Sequence, residues 1–140
     1  MTPLLPGNLV VCLGRVVDPI AIAAISEIHQ QPLGENLRFV MNNWLAEDQI
    51  CEALVLWIVD ASAELPEILT FLRFGVPLLV PEECHHLKQL CVSGNCGLFF
   101  QDTDEAVACL TYLIRNPLVR KSLGENAKNF ADGFISQPVR

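Results

Sequence analysis

Three short segments of this chain carry side chains of the right type and spacing to do chemistry. The first is Gly14-Arg15-Val16-Val17-Asp18-Pro19, directly after the apolar run Leu9-Val10-Val11-Cys12-Leu13. A glycine permits close backbone approach to a ligand, an arginine grips phosphate oxygens two at a time, and a helix opened by Asp18-Pro19 aims its free N–H groups at an anion. The segment is no Gly-x-Gly-x-x-Gly loop, so a dinucleotide site is not supported. Arg15 also has a plain reading as a surface arginine. The second segment is Asp60-Ala61-Ser62-Ala63-Glu64. Its hydroxyl and carboxylates suit a ribose or sugar, with Ser62 and Glu64 best placed, or Asp60 or Ser62 simply caps the next helix.

The third segment, Glu82-Glu83-Cys84-His85-His86, together with Cys91 and Cys96, holds the chain's one grouping of metal-ligand residue types. Adjacent histidines project about 100° apart on a helix, and neither has the i, i+4 histidine of common zinc helices. Cys84 and Cys91 lie two turns apart and share a face, which suits burial better than ligation. Cys84 and His85, as helix neighbours, do not face each other, so a Cys–His nucleophile is poorly arranged. No metal site and no catalytic residue are assigned. Trp57, inside an apolar run, reads as core. Trp44, after Asn42-Asn43, reads as core or as a partly exposed platform for a base.

The elements that must position these segments alternate along the chain. Apolar runs at 9–13, 37–41, 53–59, 77–80 and 98–100 read as strands, with the third the most apolar and hence central. Helical patterns run from Asp18-Pro19 through Ile28, around Glu47 to Cys51, and from about Leu65 to Phe74, where Gly75 is a natural stop. Further helices span about Glu82 to Val92, a stretch opened by Asp102 and Glu105 as a capping box and running to Ile114, and one from Asn116-Pro117 to about Phe130. The tail from Asp132 reads as loose, giving one domain over residues 1–131 and a tail over 132–140. Strand–helix alternation predicts a three-layer, Rossmann-like α/β domain: a five-stranded parallel sheet with helices on both faces. The expected strand order is 3-2-1-4-5, with a ligand crevice at the carboxyl ends where the order reverses.

Composition narrows the function further. The chain has 140 residues, 51% of them hydrophobic, and a formal net charge of -7. Its mean hydropathy of +0.37 is high and fits strands covered on both faces. The acidic balance offers no basic stripe for nucleic acid. Apolar stretches fall short of the roughly 18 to 20 residues of a membrane span, because Asp60, Glu64 and Glu67 interrupt the richest region. The start Met1-Thr2-Pro3-Leu4-Leu5-Pro6-Gly7 lacks the features of a signal peptide, and the six cysteines are scattered through apolar segments. A cytoplasmic protein with reduced, buried thiols is expected.

The second half carries a family pattern: Gly75-Val76-Pro77, Ser93-Gly94-Asn95-Cys96-Gly97-Leu98-Phe99, Asp104-Glu105-Ala106, Asn116-Pro117 and Arg120-Lys121-Ser122-Leu123-Gly124-Glu125-Asn126-Ala127. In order and spacing, over roughly residues 75 to 130, this resembles the carboxyl-terminal, nucleotide-sugar-binding domain of retaining GT-B glycosyltransferases, and Gly14-Arg15 resembles that family's Gly-Arg pair. The resemblance implies a donor site at Gly14, Arg15, Ser62, Glu64 and Thr70. The last three come from counting back from Gly75 to the family's Glu-x7-Glu positions: the second falls on Thr70, and the first on Ser62, or on Glu64 with one residue deleted.

The departures from the family matter as much. No lysine occurs between Arg15 and Lys88, so half of the family's diphosphate clamp is missing. Thr70 lacks the carboxylate that a ribose diol favours. The acceptor-binding lobe has no counterpart, and one lobe cannot desolvate a reacting centre. The resemblance therefore implies a domain that binds a nucleoside diphosphate or nucleotide sugar weakly, without catalysis alone and without a further cofactor. It would associate as a homodimer or with a separate glycosyltransferase chain. The alternative is a regulatory or interaction module like a pseudo-receiver, with Asp60 ending strand three. It lacks the acidic pair after strand one, where Gly14-Arg15 stand, and the lysine after strand five, where Gln101 stands.

Overall fold

The computed structural model describes residues 9–13, 19–30, 38–41, 50, 53–59 and 65–136. The strands are β1 (Leu9–Leu13), β2 (Arg38–Met41), β3 (Ala53–Ile58), β4 (Leu78–Pro81) and β5 (Gly97–Phe100). The helices are α1 (Pro19–His29), α2 (Leu65–Arg73), α3 (His85–Gly94), α4 (Thr103–Arg115) and α5 (Pro117–Ser136). Of the short helix expected around Glu47 to Cys51, only Ile50 lies within the described residues.

All strand pairs are parallel, and the sheet order is β2-β1-β3-β4-β5. The expected order 3-2-1-4-5 is therefore corrected. That order would leave β3 on an edge, where its unbroken Leu54-Val55-Leu56-Trp57-Ile58 run would lack a neighbour on one side. Between β1 and β4 the strand is paired on both sides and covered on both faces, with these five residues all buried. The reversal point thus falls between β1 and β3.

Side-chain alternation divides the core between two layers. Val10, Cys12, Val55, Trp57 and Leu79 face α1 and α4, against Ala24, Ile28, Leu110 and Leu113. Val11, Leu56, Ile58, Leu78 and Val80 face α2 and α3, against Ile68, Phe71, Leu72 and Leu87. The β1–β3 register skips one residue, with Leu9 opposite Ala53 and Val10 opposite Val55, so Leu54 and Val55 turn to the same layer. Each large side chain sealed this way contributes about 1.5–3 kcal/mol. Trp57 and Phe100 meet edge to face, ring centroids 6.3 Å apart.

Helix α5 ties the layers together. Its Leu123 packs with the α1/α4 layer, while Ala127 and Ala131 pack with the α2/α3 layer. The helix crosses at Gly124, where an added Cβ would strike the carbonyl oxygen of Gly75. Gly75 holds the left-handed backbone, φ 77°, that ends α2 just before β4. Asn126 donates from Nδ2 to the carbonyl of Asn95 at 2.9 Å, bracing the left-handed turn that leads into β5. The Arg120 guanidinium donates to the carbonyls of Leu113 and Ile114, both at 2.7 Å, and so caps the end of α4. These contacts all lie at the amino ends of the strands. The helix continues to Ser136, past the expected loosening at Asp132, because Ala131 is sealed in the core and holds the turns around it.

Candidate functional site

With α5 strapped across the amino edge, the open end of the sheet is the carboxyl edge, where the loops after β4 and β5 meet. Proline cannot extend the β4 ladder, so the chain turns after Pro81 through Glu82 and Glu83 into α3. Glu82 N–H donates to the carbonyl of Phe100 at 2.8 Å, which ties the two loops together. After β5, Asp102 caps α4 by accepting from Glu105 N–H at 2.9 Å, while the Glu105 carboxylate accepts from Gln101 N–H at 2.7 Å. This is the expected capping box with its return bond moved one residue outward, and it fixes where Gln101 stands.

Between the two loops lies a cavity of about 380 Å³, lined by Pro81, Glu82, Glu83, His85, Lys88, Phe100 and Gln101. Its size is within the range of small-molecule pockets. Lys88 comes back from the first turn of α3 to meet Glu82, Nζ to Oε1 2.9 Å, with the two side chains 33% and 25% exposed. The same ammonium lies 4.7 Å from the centroid of the half-exposed Phe99 ring. The hydrogen bond from Lys88, followed by one from Gln101, holds the Glu82 carboxyl below its ordinary pKa. Pro81 and Phe100, which also border the cavity, are buried.

The metal-type cluster comes apart in the structure. Cys84 and Cys91 point into the core beside Leu87, while His85 and His86 are exposed. No three potential ligands stand together among the described residues. Burial lifts the thiol pKa of Cys12 to about 12 and that of Cys96 to about 11, and raises Cys91 and Cys109 as well. Such thiols are protonated and poor nucleophiles.

Of the residues assigned to a donor site, Gly14, Arg15, Ser62 and Glu64 lie outside the described residues, as do Asp60 and Trp44. Leu13 and Ile58, the last residues of β1 and β3, are register partners. The chain therefore leaves the sheet toward Arg15 and toward Ser62 from adjacent points at the reversal of strand order. Thr70 is described: it is exposed midway along α2, and its hydroxyl donates to the Pro66 carbonyl at 3.0 Å. Glu82, Lys88 and Gln101 were not assigned by sequence reasoning. Glu82 and Lys88 are six positions apart, a spacing no helical pair rule flags, and Gln101 arrives from a different strand.

Comparison with solved structures identifies the architecture. The chain superposes on WaaG, a glycosyltransferase involved in lipopolysaccharide biosynthesis, with TM-score 0.70 and 16% identity over 93% of this chain and 43% of that one. On the C-terminal CMP-Kdo binding domain of WaaA from Acinetobacter baumannii, the TM-score is 0.65 at 10% identity, covering 91% of this chain and 90% of the domain. This is the fold of a GT-B glycosyltransferase lobe. The spinosyn forosaminyltransferase SpnP matches too, TM-score 0.60 and 13% identity, over 89% of this chain and 39% of that one. The chain thus spans less than half the length of these full-length glycosyltransferases, and about the whole of the separate WaaA domain. No protein-family model matches the sequence, and no curated protein matches it. No helix among the described residues is long and apolar enough to cross a membrane.

Proposed function

We propose that this chain is a donor-side glycosyltransferase lobe that binds a nucleoside diphosphate or nucleotide sugar weakly at its carboxyl edge and performs no glycosyl transfer by its 140 residues alone. The observation that carries this reading is a cavity with mixed polar and apolar lining at the carboxyl edge of a GT-B-type lobe. The CMP-Kdo binding domain of WaaA, similar over nearly its whole length, supports the same ligand class. Arg15 would hold phosphate near the reversal of strand order, and Ser62 or Glu64 would meet ribose or sugar hydroxyls. These residues alone would not transfer a glycosyl group, for a physical reason. A single lobe cannot enclose the reacting centre, and the chain offers one clamp cation near the phosphate where the family has two.

NMR titration with UDP, GDP, ADP and CMP and their sugar conjugates tests the reading. Millimolar binding that shifts residues at the carboxyl ends of β1 and β3 is expected, and flat titrations across the panel would remove it. The chain would work in the cytoplasm, where cysteines stay reduced. It would self-associate as a dimer or pair with a separate chain bearing the acceptor lobe. Sedimentation at micromolar concentration giving only monomer, together with a pull-down that returns no glycosyltransferase lobe, would refute that part.

One observation favours a second reading, a regulatory module. The order 2-1-3-4-5 is the one found in receiver-type doubly wound domains. Against phosphotransfer stand Gly14-Arg15 in place of an acidic pair and Gln101 in place of a lysine. Labelling of Asp60 by acetyl phosphate would establish this second reading over the first.

A further inference from the structure

We infer that the cavity between the β4 and β5 loops recognises the vicinal diol of an uncharged sugar through the Glu82–Lys88 pair, and not a phosphate. The inference rests on the reading of the carboxyl edge as the ligand edge, and it names what this part of that edge takes. A phosphate would need a cation free to receive it. The Lys88 ammonium is already held by Glu82 at 2.9 Å and lies over the Phe99 ring, while Glu83 adds a second carboxylate to the lining. Two carboxylates against one ammonium leave the lining net negative, so an incoming dianion would meet repulsion and would have to break the existing pair.

A diol asks for the opposite arrangement. Adjacent hydroxyls need one acceptor and one donor about a hydrogen-bond length apart, because each oxygen both gives and receives. Glu82 Oε1 and Lys88 Nζ supply that spacing already formed, and both side chains keep part of their surface in solvent. An ammonium has three donors, and a carboxylate has about four acceptor positions, so the ion pair leaves capacity on both. One hydroxyl donates to the Glu82 carboxylate, and its neighbour accepts from Lys88. Because the pair is preformed, little side-chain ordering is required on binding.

The test is NMR titration of the full chain with glucose, galactose, mannose and N-acetylglucosamine, each beside its 1-phosphate, and with UDP. At least one neutral sugar should shift the backbone resonances of Glu82, Glu83, Lys88 and Gln101, and its 1-phosphate should bind there at least tenfold more weakly. Tetrahydropyran-2-methanol, with a ring and one hydroxyl but no diol, should leave them unmoved. Glu82→Gln and Lys88→Met should each weaken the sugar about tenfold while an unchanged amide spectrum elsewhere certifies the fold. Tighter binding of the 1-phosphate, equal binding of the diol-free ring, or silence of all four neutral sugars would overturn the inference. UDP shifting only the β1 and β3 ends, with no sugar in the cavity, would sink this inference and leave the proposed function standing. Sugar in the cavity with no response to any nucleotide would do the reverse.

Discussion

The two ends of the sheet are built differently. At the amino edge, Gly75, Gly124, Asn116, Pro117, Arg120 and Ala127, all members of the family pattern, act as packing, turn and capping residues. Gly124 lets α5 cross against Gly75, and Arg120 closes α4. Asn116 donates from Nδ2 to the Tyr112 carbonyl at 2.7 Å, and Ala127 is sealed between layers. At the carboxyl edge, the described polar residues lining the cavity are Glu82, Glu83, His85, Lys88 and Gln101, none of them part of the pattern, while the pattern's Glu105 serves there in the capping box of α4. The likeness to glycosyltransferases is therefore carried by residues that hold the lobe together. The proposed ligand chemistry rests on a separate set at the opposite end.

The sharpest way to break this comparison is Gly124→Ala. Its Cβ would meet backbone, which cannot swing aside, so the expected loss is at the upper end of the roughly 1–3 kcal/mol of overpacking, read as a lower urea midpoint. A wild-type midpoint would mean that α5 does not cross at that glycine. Arg120→Ala comes next. It removes two charge-assisted bonds to the end of a half-buried helix terminus, and about 2 kcal/mol is expected. Arg120→Lys should recover only part of this, because a single ammonium cannot reproduce the fork. Asp102→Ala should cost about 1 kcal/mol by uncapping α4.

The smallest effect belongs to the carboxyl edge. Lys88→Met should leave the urea midpoint at pH 7 close to wild type, since a half-exposed ion pair contributes little. It should nevertheless move the Glu82 titration. With Lys88 in place, the Glu82 carboxyl titrates below the ordinary 4.5. Its contribution to stability is thus present above the unfolded-state pKa and is lost as pH falls through the lowered folded-state value. Carboxyl carbon shifts followed from pH 7 to pH 2 should show the Glu82 midpoint rise in Lys88→Met. An unmoved midpoint would mean that Lys88 does not set the charge of the cavity.

Much of the frame was legible in one dimension. The run Leu9–Leu13 coincides with β1, Gly75 ends α2, and Asp102 caps α4, because each is decided by residues within a few positions of one another. The burial of Cys84 and Cys91 on one face followed from helical spacing in the same way. Strand order was misjudged because it depends on which apolar run wins the centre, a competition among segments far apart in the chain. The apolarity of Ala53 to Val59 argues for the centre, whereas the order usual for Rossmann halves puts a third strand at the edge. The end of α5 was set short because Ala131 is a weak apolar signal in sequence, and its burial arises only from the two layers that close over it.

Local rules, read from the residues alone, determined that this polypeptide alternates strand and helix, where most helices begin or stop, and that Cys12, Cys84, Cys91 and Cys96 belong inside. They act over a few residues, through backbone dihedrals, caps and periodicity. Only the tertiary structure decided that β3 stands between β1 and β4, that α5 seals the amino edge, and that Glu82, Lys88 and Gln101 converge on one cavity. Those outcomes require segments distant in sequence to compete for the same buried surface or to bring opposite charges within hydrogen-bond reach.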